Sequence, residues 1–492
     1  MNARTGLAAA GLPVPDAVPK RLDIRGIAYD SRQVQPGYCF VALPGHCQDG
    51  RTFVADAVRR GAALIVGEGV LPDGPVPRVT VPAARQALAD LAVVFYGEPS
   101  RKLNVTGVTG TNGKTTTTFM LRALLAGGVR RVGMIGTVCY EIGERVIPAG
   151  RTTPEATDIQ RLLREMERGG CSHVVMEVSS HALDQQRVRG VAFNAVVFTN
   201  LTRDHLDYHG DMEHYFATKR LLFTEHYDAA KDTLAVVNED DPHGQRLIKE
   251  LRGQSGRTLL TCGCGAGAHI RAETVRCTAT GTHAEVMTPW GRAPLRLLQL
   301  GRYNLHNALA AIAVGGAQGL PLAGMVAALE HMPGVPGRLE AVLPGHGVRV
   351  FVDYAHTDDA LQNVCTMLRE ITPGRLWLVF GCGGDRDRSK RGPMGAVAAH
   401  HAHHVFITSD NPRSENPQTI ADEIVAGFGT ATHYTVELDR AAAIRAAIQA
   451  AAPGDTVVIA GKGHEKYQEF GHTMVPFDDV AVARVVLQEG AS

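Results

Sequence analysis

The chain lacks a net charge. Its 492 residues carry 50 Lys and Arg against 50 Asp and Glu. Without a positive excess there is no general pull toward nucleic acid or anionic lipid, so any cationic site must be local. The chain also lacks a run of about 18 apolar residues, so no helical membrane span is expected. Small apolar residues near the start are interrupted by Pro13 and Pro15. No signal peptide is therefore expected, and the expected compartment is the cytoplasm. Cysteines number only nine, an odd and scattered set in a long chain, so a disulfide framework is not expected. Cys262-Gly-Cys264 and Cys277 lack paired C-x-x-C spacing and an obvious fourth ligand; ordinary reduced thiols are expected instead of zinc. No repeat and no low-complexity tract occurs.

What is present is an ordinary globular composition, 45% hydrophobic and 20% charged, with ample material for buried cores. At roughly 100–200 residues per domain it predicts about three domains. Residues 1–100 mix short apolar runs (Gly26–Asp30, Tyr38–Leu43, Ala62–Val66) with turns and read as a small α/β domain. A polar linker closes it at Tyr96–Lys102. Residues 101–337 begin as strand, glycine loop and helix: Leu103–Val108, then Thr115–Ala126, closed by Gly127 and Gly128. Apolar runs follow at His173–Val178 and Ala195–Thr199. A second boundary falls at Met332–Arg338. Residues 338–492 repeat the theme with buried strands at Val348–Val352, Arg375–Phe380, His404–Thr408 and Thr456–Ala460, and an Ala-rich helix at Ala441–Ala452. The expected class is α/β in three domains, with a mostly parallel central sheet covered on both faces and a doubly wound, Rossmann-like last domain.

The chemistry concentrates after the first central strand. In Gly110-Thr111-Asn112-Gly113-Lys114-Thr115-Thr116 the glycines let backbone N–H groups turn toward phosphate oxygens, and the following helix adds its positive end. Lys114 would reach the β- and γ-phosphates of ATP, and Thr115 or Thr116 would hold Mg²⁺. The strict phosphate-loop pattern fails, because Val108 stands at its first glycine; the strand before and the helix after supply the missing context.

Glu177 ends a buried strand beside that loop, where a Mg²⁺ ligand is wanted. His205 and His209 are spaced i, i+4. Zinc is a reading of that spacing, but no matching carboxylate motif accompanies it. One histidine is expected to be a Mg²⁺ ligand and the other a structural support. Lys219, in a helical pattern, reads on spacing alone as a surface lysine.

Together, Gly110–Thr116, Glu177-Val-Ser-Ser-His181, Asp204-His-Leu-Asp-Tyr-His-Gly210 and Asp353-Tyr-Ala-His356 resemble the Mur ligases of peptidoglycan synthesis, in order and over nearly the whole chain. The resemblance implies an ATP-dependent ligase in which the carboxylate of a UDP-linked peptide is phosphorylated and the acyl phosphate is then attacked by an amine. It implies that Lys219 is carbamylated by CO₂ and joins Thr115, Glu177 and His205 around Mg²⁺. Lys114, Glu177, His205 and Lys219 are then the catalytic set. Asn304, Arg338 and Asp353 match positions near the nucleotide base and ribose. Ser31 and His46 match uridine-diphosphate-binding elements, which makes residues 1–100 the UDP-muramoyl domain. Thr152, Thr153, Ser179, Gln185 and Arg187 match positions that hold the muramoyl dipeptide. One departure is Asp358, where the family usually has Pro; both suit a first helical turn.

Asp410-Asn411-Pro412-Arg413 resembles the pattern of family members that add meso-diaminopimelate to UDP-MurNAc-L-Ala-D-Glu. A guanidinium pairs with the distal carboxylate that distinguishes diaminopimelate from lysine, and with lysine it would be left unpaired. Arg386, Gly461 and Glu465 match the rest of that pocket. Lysine-adding specificity is one competing reading. Folylpolyglutamate synthase, which shares the ATPase core but does not need the N-terminal block, is another. A binder that has lost catalysis is a third, and would not need Lys114, Glu177, His205 and Lys219 together. The expected partners are the three substrates, with neither nucleic acid nor membrane, and a monomer is expected.

Overall fold

The computed structural model describes residues 1–45, 48–127, 131–226, 231–254, 257–343 and 347–489. Three principal sheets follow one another along the chain. The first runs in parallel order Gly26–Ala28, Tyr38–Ala42, Ala62–Gly67, Arg78–Thr80. Its first three strands are short, largely buried apolar runs, while the edge strand Arg78–Thr80 buries only Val79. The helix Ala84–Tyr96 packs on the helix Ala156–Arg168 of the next unit. Tyr29 Oη also donates to Asp158 across this boundary at 2.9 Å.

The second sheet has 11 strands. Its middle is parallel: Thr258–Gly263, Leu234–Asn238, Ala195–Phe198, Asn104–Thr109, His173–Glu177, Val132–Ile135. Helices Lys114–Ala126 and Arg302–Ala317 bury Leu121, Leu124, Leu309 and Ile312 on one face. Helices Ala156–Arg168 and Met212–Thr224 bury Leu162, Leu163, Leu222 and Phe223 on the other. The expected mostly parallel sheet is thus present, with antiparallel strands at its edges. Ile270–Thr278, Gly281–Thr288 and Gly291–Leu297 form an antiparallel meander on one side, and Cys139–Ile142 and Arg145–Pro148 on the other. Gly281–Thr288 and Gly291–Leu297 alternate more and less buried residues, since an edge hairpin needs only one covered face.

After His173–Glu177 the chain crosses to Ala195–Phe198 on the far side of Asn104–Thr109. Such a reversal opens a crevice at the carboxyl ends of the strands. The third sheet orders Glu340–Val342, Arg349–Asp353, Thr456–Ala460, Leu376–Phe380, His404–Ile407, Tyr434–Val436, parallel except for its first pair. Expected and observed strand limits differ by a residue or so. The Ala-rich helix spans Arg440–Ala450, started by Asp439, whose carboxylate accepts from Ala441 N at 2.8 Å and Ala442 N at 3.1 Å. Gly127 caps Lys114–Ala126 as expected; Gly128 lies outside the described residues. No described helix is long and apolar enough to cross a membrane.

The C-terminal helix Asp479–Glu489 is tied to this sheet by a fully buried ion pair. Arg440 Nε and Nη2 each meet a carboxylate oxygen of Asp479 at 2.7 Å, and Nη2 also donates to Ala460 O at 3.0 Å. Removing one partner of a buried pair costs about 3–5 kcal/mol, because the other charge stays buried. Asp479→Asn is expected to lower the urea midpoint of the C-terminal unit accordingly, followed by Trp377 fluorescence; a midpoint within error of wild type would show the pair to be dispensable.

Candidate active site

The phosphate loop lies at the switch point, directly after the strand Asn104–Thr109. Gly113 has φ +86°, a region that side chains resist, and a Cβ there would run into Asn307 Oδ1. The loop is anchored on the residues after Ala195–Phe198: Thr111 N donates to Asn200 O and Asn112 N to Asn200 Oδ1, both at 2.9 Å. Lys114 then opens a helix whose start has no side-chain cap, leaving N–H groups directed into the crevice. Its ammonium donates to Gly110 O at 2.9 Å and Thr111 O at 2.8 Å. Desolvation lowers its pKa.

Lys219 is the main correction to the reading from spacing. It is 1% exposed, and its Nζ donates to the same Gly110 carbonyl at 2.8 Å. Burial first, then the charge of Lys114, push its pKa well below the ordinary lysine value. The signal was in the helix Met212–Thr224: Lys219 stands four residues after Tyr215 and three before Leu222, on the buried face.

Glu177 ends its strand and accepts from Thr115 Oγ1 at 3.0 Å, Thr137 N at 2.7 Å and Thr137 Oγ1 at 3.0 Å. Thr137 was not among the expected residues; it sits in a turn after Val132–Ile135 that carries no motif. His205 has φ +55° and lies 3.3 Å from Asp204. Burial pushes its imidazole toward the neutral, metal-binding form. His209 is instead buried with Nε2 2.9 Å from Ser180 Oγ, a supporting role.

A cavity of ≈ 480 Å³ joins these groups to the C-terminal unit. Thr111–Thr116, Thr152, Glu177, Ser179 and His205 line one side, and Asn304, Arg338 and Asp353 the other. Arg338 Nη2 donates to Thr115 Oγ1 at 3.1 Å, and its guanidinium lies over the Tyr354 ring. Asp353 accepts from Leu339 N and Ala355 N, each at 2.7 Å, and its burial raises its pKa. Asn307 also lines the cavity and was missed, although its i, i+3 spacing from Asn304 puts both on one helix face. Asp359 bridges the units, accepting from Asn112 Nδ2 at 2.9 Å and Thr202 Oγ1 at 3.0 Å. Asp358 opens the helix Asp358–Ile371 and faces Arg203 at 3.7 Å.

The other expected residues lie outside the lining of that cavity. Thr153 Oγ1 donates to Glu177 O at 2.9 Å and accepts from Ser179 N at 3.1 Å. Arg187 donates to Thr153 O at 3.0 Å and to Gln185 Oε1 at 2.6 Å, continuing the same cluster. Ser31 is buried in the N-terminal unit, hydrogen-bonded to Asp56; His46 lies outside the described residues. A separate cluster forms at the carboxyl ends of the third sheet. Asn411 donates to Glu465 at 2.9 Å and accepts from the buried Lys462 at 2.9 Å, while burial raises the pKa of Glu465. Gly461 has φ +110°, and a Cβ there would sit 2.7 Å from Asp410 Oδ2. Arg413 follows Pro412 with φ +51°; its Nε donates to Glu469 at 2.8 Å and Nη1 to Gly384 O at 2.7 Å. Arg386 is exposed and Arg413 partly buried; a Cβ on Gly383 would sit 3.7 Å from Arg386 Cγ and 3.1 Å from Arg413 Nη1.

Fold and cavity together define an α/β protein with a phosphate-loop cleft at the carboxyl ends of a parallel sheet. Three family descriptions match in chain order: the Mur ligase family catalytic domain over residues 23–96, the Mur ligase middle domain over 108–315, and the Mur ligase glutamate ligase domain over 337–463. The chain is 44% identical to a UDP-N-acetylmuramoyl-L-alanyl-D-glutamate–2,6-diaminopimelate ligase of Solibacter usitatus, covering 99% of this chain and 98% of the relative. A Roseiflexus protein described as a UDP-N-acetylmuramyl-tripeptide synthetase is also 44% identical, over 96% of each chain. A solved UDP-N-acetylmuramoyl-L-alanyl-D-glutamate–2,6-diaminopimelate ligase superposes with TM-score 0.70 at 32% identity, covering 98% of both. At 20% identity and TM-score 0.64, MurF ligase from Thermotoga maritima with ADP shares the fold, over 96% of this chain and 98% of that one. The chain belongs to the Mur ligase family.

Gly113→Ala would force a side chain into a left-handed backbone position, costing about 1–2 kcal/mol, and press it on Asn307. Calorimetric titration with ADP is expected to show at least about tenfold weaker binding; unchanged affinity would place the nucleotide phosphates elsewhere.

Proposed function

We propose that this chain is an ATP-dependent ligase that joins meso-2,6-diaminopimelate to UDP-N-acetylmuramoyl-L-alanyl-D-glutamate. The observation that carries this reading is the cavity in which Lys114, Glu177 and His205 face Arg338 and Asp353 of the next unit. An ammonium, a carboxylate, an imidazole and a guanidinium around one space support a phosphate grip with metal ligands beside it. The family relatives named for this reaction support the choice of substrates.

The donors present fit Mg²⁺: the Glu177 carboxylate and the Thr115 hydroxyl are hard oxygens that already touch, and His205 lines the same cavity in its neutral form. Bound there, the ion would neutralise phosphate charge during transfer. Lys219 fits a carbamate. Burial favours its neutral amine, which can form a C–N bond with CO₂ and release one proton, leaving a carboxylate-like group.

The rest follows from placement. The loop amides and Lys114 hold the β- and γ-phosphates, with Asn304 and Asp353 toward base and ribose. Thr152, Thr153, Ser179, Gln185 and Arg187 hold the dipeptide so that its free carboxylate faces the γ-phosphate. An oxygen of that carboxylate bonds to phosphorus as the bond to ADP breaks. The amine of diaminopimelate then adds to the acyl carbon, phosphate leaves, and an amide remains. Arg338, reaching Thr115, adds positive charge where phosphate charge develops. Ser31 and His46 would bind the UDP end. Asp410, Asn411, Pro412, Arg413, Arg386, Gly461 and Glu465 would form the diaminopimelate pocket, with Glu465 on its distal ammonium and Arg413 on its distal carboxylate.

ADP release in the presence of UDP-MurNAc-L-Ala-D-Glu is expected with meso-diaminopimelate and to be at least about tenfold slower in kcat/KM with L-lysine. Equal use of lysine would overturn the specificity, and no stimulation by either amino acid would overturn the reaction. In the same assay Lys219→Ala is expected to lose about 100-fold or more in kcat, with partial recovery in added short carboxylates. A variant as active as wild type would remove the carbamate.

A further inference from the structure

One cluster of ligand-type side chains is used by nothing above. Asp240 follows the strand Leu234–Asn238, and Cys264 follows the neighbouring parallel strand Thr258–Gly263. His306 comes from the helix Arg302–Ala317, which packs on both strands. Asp240 Oδ2 accepts the backbone N–H of Cys264 at 2.6 Å and lies 2.8 Å from His306 Nε2. The Cys264 sulfur lies 3.8 Å from the same nitrogen. One carboxylate oxygen, one thiol and one imidazole nitrogen thus all lie within 4.8 Å of one another.

That spacing suits a small tetrahedral ion. Zinc takes sulfur at about 2.3 Å, imidazole nitrogen at about 2.0–2.1 Å and carboxylate oxygen at about 2.0–2.2 Å, which puts its ligands some 3–4 Å apart. The loop is shaped around the carboxylate: a Cβ on Gly263 would sit 2.7 Å from Asp240 Oδ1. A second carboxylate borders it, with Glu239 Oε1 3.3 Å from the Cβ position of Gly265 and 3.4 Å from that of Gly267. A mixed sulfur, nitrogen and oxygen set favours zinc-like ions over Mg²⁺, which takes hard oxygen donors such as those around Glu177. None of the three residues lines the nucleotide cavity. Paired cysteine spacing is missing from the sequence because the ligands come from three elements.

We propose that Asp240, Cys264 and His306 form a site for a borderline-soft divalent cation of the zinc class, completed by water. Binding replaces two protons, the thiol proton of Cys264 and the one that His306 Nε2 shares with Asp240, and both leave as the metal–sulfur and metal–nitrogen bonds form. His306 stands between Asn304 and Asn307, which both line the cavity, so an occupied site would brace the helix turn that presents them.

The test is a Co²⁺ titration of the chelator-treated full chain with Mg²⁺ present, read by the thiolate-to-cobalt charge-transfer band and the visible bands of tetrahedral cobalt. Wild type is expected to saturate at one equivalent and to lose both signals on adding Zn²⁺. Cys264→Ser is expected to abolish the charge-transfer band, and Cys277→Ser to leave it. Asp240→Asn and His306→Gln, checked for native near-UV circular dichroism, are expected to weaken Co²⁺ at least about tenfold, the scale of ligand-shell losses. Absence of the band in wild type, or its survival in Cys264→Ser, would overturn the site. So would unchanged affinity in both Asp240→Asn and His306→Gln, which would leave a single thiol with an adventitious ion.

Discussion

Two ammonium groups share one carbonyl oxygen. Lys114 and Lys219 both donate to Gly110 O, at 2.9 and 2.8 Å, and desolvation weakens the hold of each on its proton. A backbone carbonyl neutralises neither charge, so the arrangement is tolerable only where an anion is to arrive or where one amine gives up its proton. Both outcomes serve phosphoryl chemistry. In the proposed reaction a phosphate would bring negative charge to Lys114, and a neutral Lys219 would be the form that combines with CO₂. The loop glycines, the strand order and the cavity are the means of holding that carbonyl between the two lysines.

The same constraint explains why the site is shared between units. Anchoring the loop uses Asn200 from the strand beyond the switch point, and Thr115 is approached by Arg338 from the chain segment entering the third sheet. Asn112 and Thr202 converge on Asp359 at the start of a helix in that last unit. The orientation of the third unit therefore determines whether Arg338 and Asp353 face the phosphate loop.

The sheet middles were legible because parallel strands covered on both faces are continuous apolar runs, and the phosphate loop because glycine, strand and helix stand in an unusual order. The edge strands were not, since an antiparallel hairpin carries half as many apolar positions and no motif. Among site residues, Glu177 was legible from its place at a strand end. Lys219 was misread because a lone lysine in a helix is usually solvated, and only the register of its neighbours shows that its face is buried. Thr137 was invisible: its importance lies in two hydrogen bonds to Glu177, made by a turn whose sequence is unremarked. Asp240, Cys264 and His306 meet only because two parallel strands and a helix end together, which no local spacing records.

The structure also changes how selectivity is to be understood. From sequence, Arg413 facing a lysine substrate is an unpaired guanidinium, and an uncompensated buried charge costs about 2–5 kcal/mol or more. In the folded chain Glu469 already accepts from its Nε and Gly384 O from its Nη1, while the main chain of Arg413 pairs with the same hairpin strand. The guanidinium is therefore fixed and partly compensated before any amino acid binds. If Arg413 serves the proposed pocket, what lysine would forfeit is the additional charge-assisted contact, worth about 1.5–3 kcal/mol, roughly ten- to hundredfold. In the proposed pocket Glu465, held with Asn411 by the buried Lys462, would meet a distal ammonium that lysine also carries, so it would add grip without discrimination. In the proposed pocket Arg413 would thus act as a rigid fork for the distal carboxylate, set in place by Glu469 and Gly384 O before substrate arrives.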